Sequence, residues 1–308
     1  MLRYWIGASV LAVAVMACPV GHAQAAVILA YEGFATDATG SGDNYEAGEI
    51  LGAYGFGGTF GGVDKPRTGF TGPWYDSNGP MSSGVNATAE LGSLTYPGFI
   101  TQDDGHGRPF RSSGNATASK HVGRDLDYTM PAGATEYYAA VLIDFESQRG
   151  GAGFGSRDNA GRYNIFDATE GEIRFRPPGD SADSYSTPWT EGTHLFVVRY
   201  FVDTDTPGNP NSSFYDRWEL WHNPEITGPT LPTPTASGWG IGLKYGGGGN
   251  IIPNDLFLLD ASHMAAGQSA MVDEFYIATD PAAFLIPEPA SAALLGLGGL
   301  ALLARRRR

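Results

Sequence analysis

The sequence predicts an all-β protein, a two-sheet antiparallel sandwich, with an N-terminal signal helix before it and a C-terminal transmembrane helix after it. Three observations carry this. Short apolar runs recur through the middle of the chain with no helical periodicity between them. Gly, at 44 of 308 residues about twice the usual ~7%, gathers with Asn, Asp, Ser and Pro between those runs, which is turn chemistry repeated many times. Both ends of the chain pair a basic residue or cluster with an apolar stretch, an arrangement absent from the middle.

In chain order, 27–32 (VILAYE) reads as the first strand, and 59–86, dense in Gly and Pro, as an extended loop. Residues 137–146 (YYAAVLIDFE), 163–168 (YNIFDA) and 172–176 (EIRFR) are strands. Thr169, Glu170 and Gly171 supply the turn of a hairpin between the last two. Residues 194–203 (HLFVVRYFVD) and 215–222 (YDRWELWH) form a second hairpin. The Pro/Thr-rich stretch 224–234 reads as a loop, and 255–259 and 271–278 (MVDEFYIA) close the domain. Strands without intervening helices favour a sandwich over an α/β fold.

The ends are read as address segments. Arg3, the apolar 6–17 and the small-x-small triplet Ala23-Gln24-Ala25 describe a signal peptide over 1–25, cut by signal peptidase after Ala25. A rival reading makes Val15-Met16-Ala17-Cys18 a lipoprotein box with Cys18 acylated. Either way the single cysteine lies outside the mature domain, which therefore has no disulfide and depends on its core. At the other end stand Pro287, Glu288 and Pro289, an uncharged run over 290–304, and then Arg305, Arg306, Arg307 and Arg308. As a helix the 15-residue run spans about 22 Å, short of the ~30 Å hydrocarbon core, a gap that snorkelling arginines help to close. Cytoplasmic arginines would leave everything before Pro287 outside the inner membrane. The organisation expected is signal peptide 1–25, sandwich 26–280, linker 281–289, transmembrane helix 290–304 and a cytoplasmic Arg cluster 305–308.

The whole chain holds 19 basic and 33 acidic residues; without Arg3, Glu288 and the four terminal arginines, 14 face 32. A surface so acidic excludes nucleic acid as a partner and disfavours docking to anionic lipid, while leaving room for divalent cations.

For catalysis the sequence offers little. Two carboxyl groups for a retaining glycosidase need side chains about 5–5.5 Å apart, which positions i and i+2 of a strand provide. Asp273 and Glu274 are adjacent, so alternation sends them to opposite faces, at a solvent edge. There is no G-x-S-x-G elbow, and the histidines show no metal-ligand spacing. The chain is read as a non-enzyme, and no cofactor is required. Binding has more support: Trp74 and Tyr75, in Gly72-Pro73-Trp74-Tyr75-Asp76, read as exposed loop aromatics that could stack on a sugar. Trp218 and Trp221, three apart on a strand, point opposite ways, one to the core; Tyr185 and Trp189 plug the sandwich end. Calcium is the candidate ion, on the oxygen-rich loop of Asp203, Asp205 and Asn209. N-x-S/T strings at Asn86, Asn115 and Asn211 read as chance in an Asn- and Ser-rich chain.

The sequence Pro287-Glu288-Pro289, apolar run, Arg305 to Arg308 resembles the PEP-CTERM sorting signal of Gram-negative bacteria. The resemblance implies an exosortase, a membrane-embedded cysteine protease, acting near the Pro-Glu-Pro motif, followed by release or attachment outside the cell. The order of Thr193-His194-Leu195-Phe196-Val197-Val198-Arg199-Tyr200, Trp218-Glu219-Leu220-Trp221-His222-Asn223-Pro224 and Met271-Val272-Asp273-Glu274-Phe275-Tyr276-Ile277 resembles the concanavalin A-like (laminin-G-like) jelly-roll family, as do Tyr31-Glu32-Gly33-Phe34 and Leu94-Thr95-Tyr96-Pro97-Gly98. That resemblance implies first and last strands paired side by side. Together these imply a non-catalytic cell-surface or extracellular-matrix protein associated with exopolysaccharide. The alternatives are a polysaccharide-cleaving enzyme of the same fold and a purely structural matrix protein.

Overall fold

The structure, a computed structural model, describes residues 26–51, 63–76, 85–111, 121–131, 134–155, 163–169, 171–177, 184–202, 215–239, 256–262 and 264–286. Among these are eighteen strands: β1 Ile28–Glu32, β2 Thr36–Asp37, β3 Tyr45–Glu46, β4 Glu49–Ile50, β5 Phe70–Asp76, β6 Val85–Glu90, β7 His106–Arg111, β8 His121–Leu126, β9 Glu136–Asp144, β10 Gly150–Gly155, β11 Tyr163–Thr169, β12 Glu172–Arg176, β13 Tyr185–Pro188, β14 Thr193–Val202, β15 Tyr215–His222, β16 Ala236–Trp239, β17 Leu256–Asp260 and β18 Met271–Ala278. No α-helix occurs among the described residues, and none of their helices is long and apolar enough to cross a membrane.

Two antiparallel sheets form the sandwich. One runs β16-β15-β14-β9-β18-β7-β6-β4, with β1 also against β18; the other runs β13-β12-β11-β10-β17-β8-β5. The first and last strands pair antiparallel, Ile28 opposite Ala278 and Glu32 opposite Phe275. The two expected hairpins form as β11–β12 and β14–β15.

The expected 59–86 loop instead contributes β5 and the start of β6. Gly150–Gly155, which offers no hydrophobic pattern, is a fully buried central strand. Its glycines are there for closeness: a Cβ on Gly151 or Gly153 would stand 2.0 Å from the Phe166 carbonyl oxygen or 2.4 Å from that of Asn164.

Between the sheets lies an aromatic core. Phe257 stacks on Phe275 at 4.1 Å, Phe166 meets Phe196 tilted at 5.0 Å, and Phe175 meets Trp218 edge-on at 5.2 Å. Burying such rings supplies the cohesion that a disulfide gives smaller exported domains. A second apolar cluster covers the outer face of the larger sheet. Leu142, Leu195, Val197, Trp221 and Tyr276 lie there beneath residues 91–105, the connection between β6 and β7. Trp218 and Trp221 therefore do face opposite ways, and both are buried.

An ionic network around Glu32 is buried inside. The Glu32 carboxylate accepts from Phe34 N, Arg67 Nε, the Tyr45 hydroxyl and Arg124, all within 3.2 Å. This network ties β1, β3 and β8 to residues 63–67.

Candidate functional site

The chain leaves the sandwich along the outer face of the larger sheet. After β18, Asp280 caps a single 3₁₀ turn, Pro281–Ala283, its side chain accepting from Ala282 N at 2.8 Å. Phe284 and Leu285 are then fully buried. Leu285 forms an antiparallel bridge with Phe99, flanked by Ile100 N donating to Phe284 O at 2.9 Å and Ile286 N donating to Gly98 O at 2.8 Å. The rings of Phe99, Tyr276 and Phe284 meet at 5.6 and 5.7 Å. The first half of the expected 281–289 linker is thus a strap folded onto the domain. Its sequence pattern, Phe284-Leu285-Ile286 between prolines, carried the apolar content to say so.

Beneath the same cover lies a carboxyl pair. A bulge in β18 between Asp273 and Tyr276 puts Glu274 at φ +52 and breaks the alternation on which the solvent-edge expectation rested. Both side chains are fully buried. Asp273 accepts from Leu94 N at 2.8 Å and from Glu274 N at 2.8 Å. Glu274 accepts from Gln102 N at 2.7 Å and from the Tyr276 hydroxyl at 2.9 Å. Burial pushes both carboxyls up from their ordinary range, well up for Asp273, whose neighbour Glu274 adds repulsion. The Tyr31 hydroxyl faces Asp103 and Glu274, and burial raises it strongly. The pair thus clamps residues 94–103, which in turn hold the strap.

The predicted sugar-contacting residues lie elsewhere. Trp74 and Tyr75 are on strand β5, not in a loop, with Tyr75 opposite Gly123. Trp74 is fully buried, its indole N–H donating to the Tyr45 hydroxyl at 3.0 Å, so its ring has no face to offer a ligand. Tyr185 and Trp189 pack against the core at the sandwich end, as expected. Beside them the fold joins two histidines that are scattered in sequence. His194 Nδ1 lies 3.0 Å from His222 Nε2, and His222 Nδ1 lies 3.2 Å from the Tyr185 hydroxyl. Burial, with His194 alongside, lowers His222 to about 4. Asp203, Asp205 and Asn209, Ala23 and Ala25, Cys18, Pro287, Glu288, Pro289, the run 290–304 and Arg305 to Arg308 lie outside the described residues. Among the described residues no group of three or more His, Cys, Asp or Glu side chains is placed to hold a metal ion.

An open cleft of about 290 Å³ lies where β6 and β7 meet residues 267–269, lined by Thr88, Glu90, Arg108, Phe110, Gln268 and Ser269. Arg108 donates to Glu146 at 3.0 Å and to Ser269 Oγ at 3.1 Å, Ser269 Oγ donates to Glu146 at 2.6 Å, and Thr88 Oγ1 donates to Glu90 at 2.7 Å. Sequence reasoning missed these residues. The Arg108-Pro109-Phe110 alternation was the available sign, masked by a proline that reads as a loop.

Residues 285–308 match the PEP-CTERM protein-sorting motif. The PEP-CTERM tail implies export, surface sorting and processing by an exosortase, and its first two residues, Leu285 and Ile286, belong to the strap. No curated protein matches the chain in sequence. Among solved structures, domain 4 of a GH43 extracellular arabinanase from Geobacillus stearothermophilus, in complex with arabinotriose, matches at 12% identity and TM-score 0.33, over 66% of this chain and 84% of that one. The botulinum neurotoxin serotype D binding domain matches at 10% and 0.34, over 63% of this chain and 43% of that one. A bifunctional GH43-CE protein of Bacteroides eggerthii matches at 13% and 0.33, over 56% and 21%. The chain therefore spans less than half of the latter two.

Proposed function

We propose that this is an exported surface protein, released from its PEP-CTERM tail by an exosortase, whose sandwich associates with extracellular polysaccharide without cleaving it. The cleft on β6 and β7 carries this reading. Glu90, Arg108, Phe110 and Ser269 line it, and Glu146 beside it accepts from both Arg108 and Ser269. Vicinal hydroxyls want donor and acceptor side by side, and the C–H face of a sugar ring wants an aromatic surface. Binding is favoured over cleavage because the carboxyl pair the fold assembles, Asp273 and Glu274, is buried under residues 91–105, out of reach of a polymer.

The test is a glycan array and polysaccharide pull-down on the purified chain, with and without calcium, beside Arg108→Ala and Phe110→Ala. Binding weakened about tenfold or more by either substitution supports the site. A blank array in both conditions overturns the reading and leaves the structural matrix role.

A further inference from the structure

We propose that residues 280–286 are a processing latch: the PEP-CTERM tail is cut only after this strap peels from residues 94–103. The inference rests on the reading that an exosortase processes this tail.

The argument is one of reach. Only Pro287, Glu288 and Pro289 separate Ile286, held by Gly98, from Ala290, where the apolar run begins. Extended, three residues span roughly 10 Å. The headgroup layer on one side of a bilayer takes up about 5–7 Å of that. With the strap docked, the sandwich therefore rests against the headgroups, and a membrane-embedded protease has no extended chain on the N-terminal side of the motif to enclose. Peeled back to Thr279, which stays bonded to Val27, the chain gains residues 280–286, a further ~23 Å.

The strap is built to let go without unfolding the domain. It belongs to the outer cluster and not to the core between the sheets: Phe284 packs with Phe99 and Tyr276, and neither Phe284 nor Leu285 is in the cluster of Phe257 and Phe275. Two flanking backbone bonds, one cap and the buried Phe284 and Leu285 side chains hold it, a local set of contacts whose release leaves the inter-sheet core packed.

The Phe99–Leu285 bridge provides the test. The flanking bonds make it a non-hydrogen-bonded pair, the kind with Cα atoms about 4.5 Å apart, within disulfide range. Full-length chain carrying Phe99→Cys and Leu285→Cys is presented to exosortase-containing membranes, oxidised or reduced, and tail removal is followed by mass. Oxidation is expected to slow removal at least tenfold, and a six-residue Gly/Ser insertion after Ile286 of the oxidised protein to restore it. An oxidised chain cut at the reduced rate overturns the latch, as does an oxidised chain that stays blocked with the insertion. If the double variant does not fold, the insertion alone in the native chain decides: cutting several-fold faster supports the latch, and an unchanged rate overturns it. Failure of the membranes to cut the native chain at all overturns the processing reading together with the latch, whereas failure of the lock alone leaves processing standing.

Discussion

The Arg124 guanidinium lies 3.2 Å from the Glu32 carboxylate, with side-chain exposures of 1% and 0%. Arg67 reaches the other oxygen at 3.0 Å. Glu32→Gln leaves two guanidiniums buried against a neutral amide, and removing one partner of a buried ionic group costs about 3–5 kcal/mol. Urea unfolding of the variant is expected to show that loss with an unchanged denaturant slope. A loss under ~1 kcal/mol would mean the site takes in water and the network does not seal the sandwich.

Trp74 is expected to behave as core. Trp74→Phe keeps most of the ring but removes the donor to Tyr45, a change worth about 0.5–1.5 kcal/mol. Trp74→Ala empties a fully buried site and costs about 3–5 kcal/mol. Where both variants remain folded by near-ultraviolet circular dichroism, polysaccharide binding should equal that of the native chain. A selective loss of binding in Trp74→Phe would return the indole to the ligand site.

The long hairpins were legible because apolar residues of β14 fill both faces, Phe196 and Val198 on one and Leu195 and Val197 on the other, while β15 alternates Trp218 and Leu220 with the charged Arg217 and Glu219. What escaped were features made by distant chain. Alternation placed Asp273 and Glu274 at an edge, but a bulge and residues 91–105, about 170 positions away, enclose them. His194 and His222 become neighbours only through the register that sets Phe196 opposite His222. Gly150–Gly155 offers only Ala152 and Phe154 as side chains among four glycines, and Trp74 takes its place in the core from a hydroxyl 29 positions earlier.

His222 makes stability depend on pH from the acid side. Its folded value, about 4, lies below the ~6.5 of an unfolded histidine, so the unfolded chain takes up the proton first. Its contribution is complete above pH ~6.5 and lost as pH falls toward 4. Unfolding midpoints across this window should slope less in His222→Gln than in the native chain. Equal slopes would place the acid sensitivity elsewhere.

Asp273 acts with the opposite sign. Its folded value is raised, so its contribution is present below the ordinary carboxylate range, ~3.9, and is lost as pH rises through the folded value. Asp273→Asn cannot ionise, but its amide nitrogen must face one of the N–H groups of Leu94 and Glu274. The variant should be less stable than the native chain at low pH, with a deficit that shrinks as pH rises. A constant deficit from pH 4 to 9 would contradict the burial argument.

Gly98 joins backbone conformation to the C-terminal exit. It sits at φ +81, and a Cβ there would stand 2.6 Å from the Ile226 side chain and 2.9 Å from its carbonyl oxygen. Gly98→Ala therefore combines left-handed strain of about 1–2 kcal/mol with a clash that moves either residue 98 or residue 226. Movement at 98 withdraws the carbonyl that accepts Ile286 N and disturbs the neighbouring Phe99–Leu285 bridge. Amide hydrogen exchange separates local from global effects. The Ile286 and Ile100 amides should exchange roughly ten- to thirtyfold faster in the variant, while Val197, paired with Ala140 and Trp221 in the middle of the larger sheet, keeps its protection. Equal acceleration at all three would show that the strap and the sandwich open as one unit, and the C-terminal exit would then have no independent motion for a processing enzyme to use.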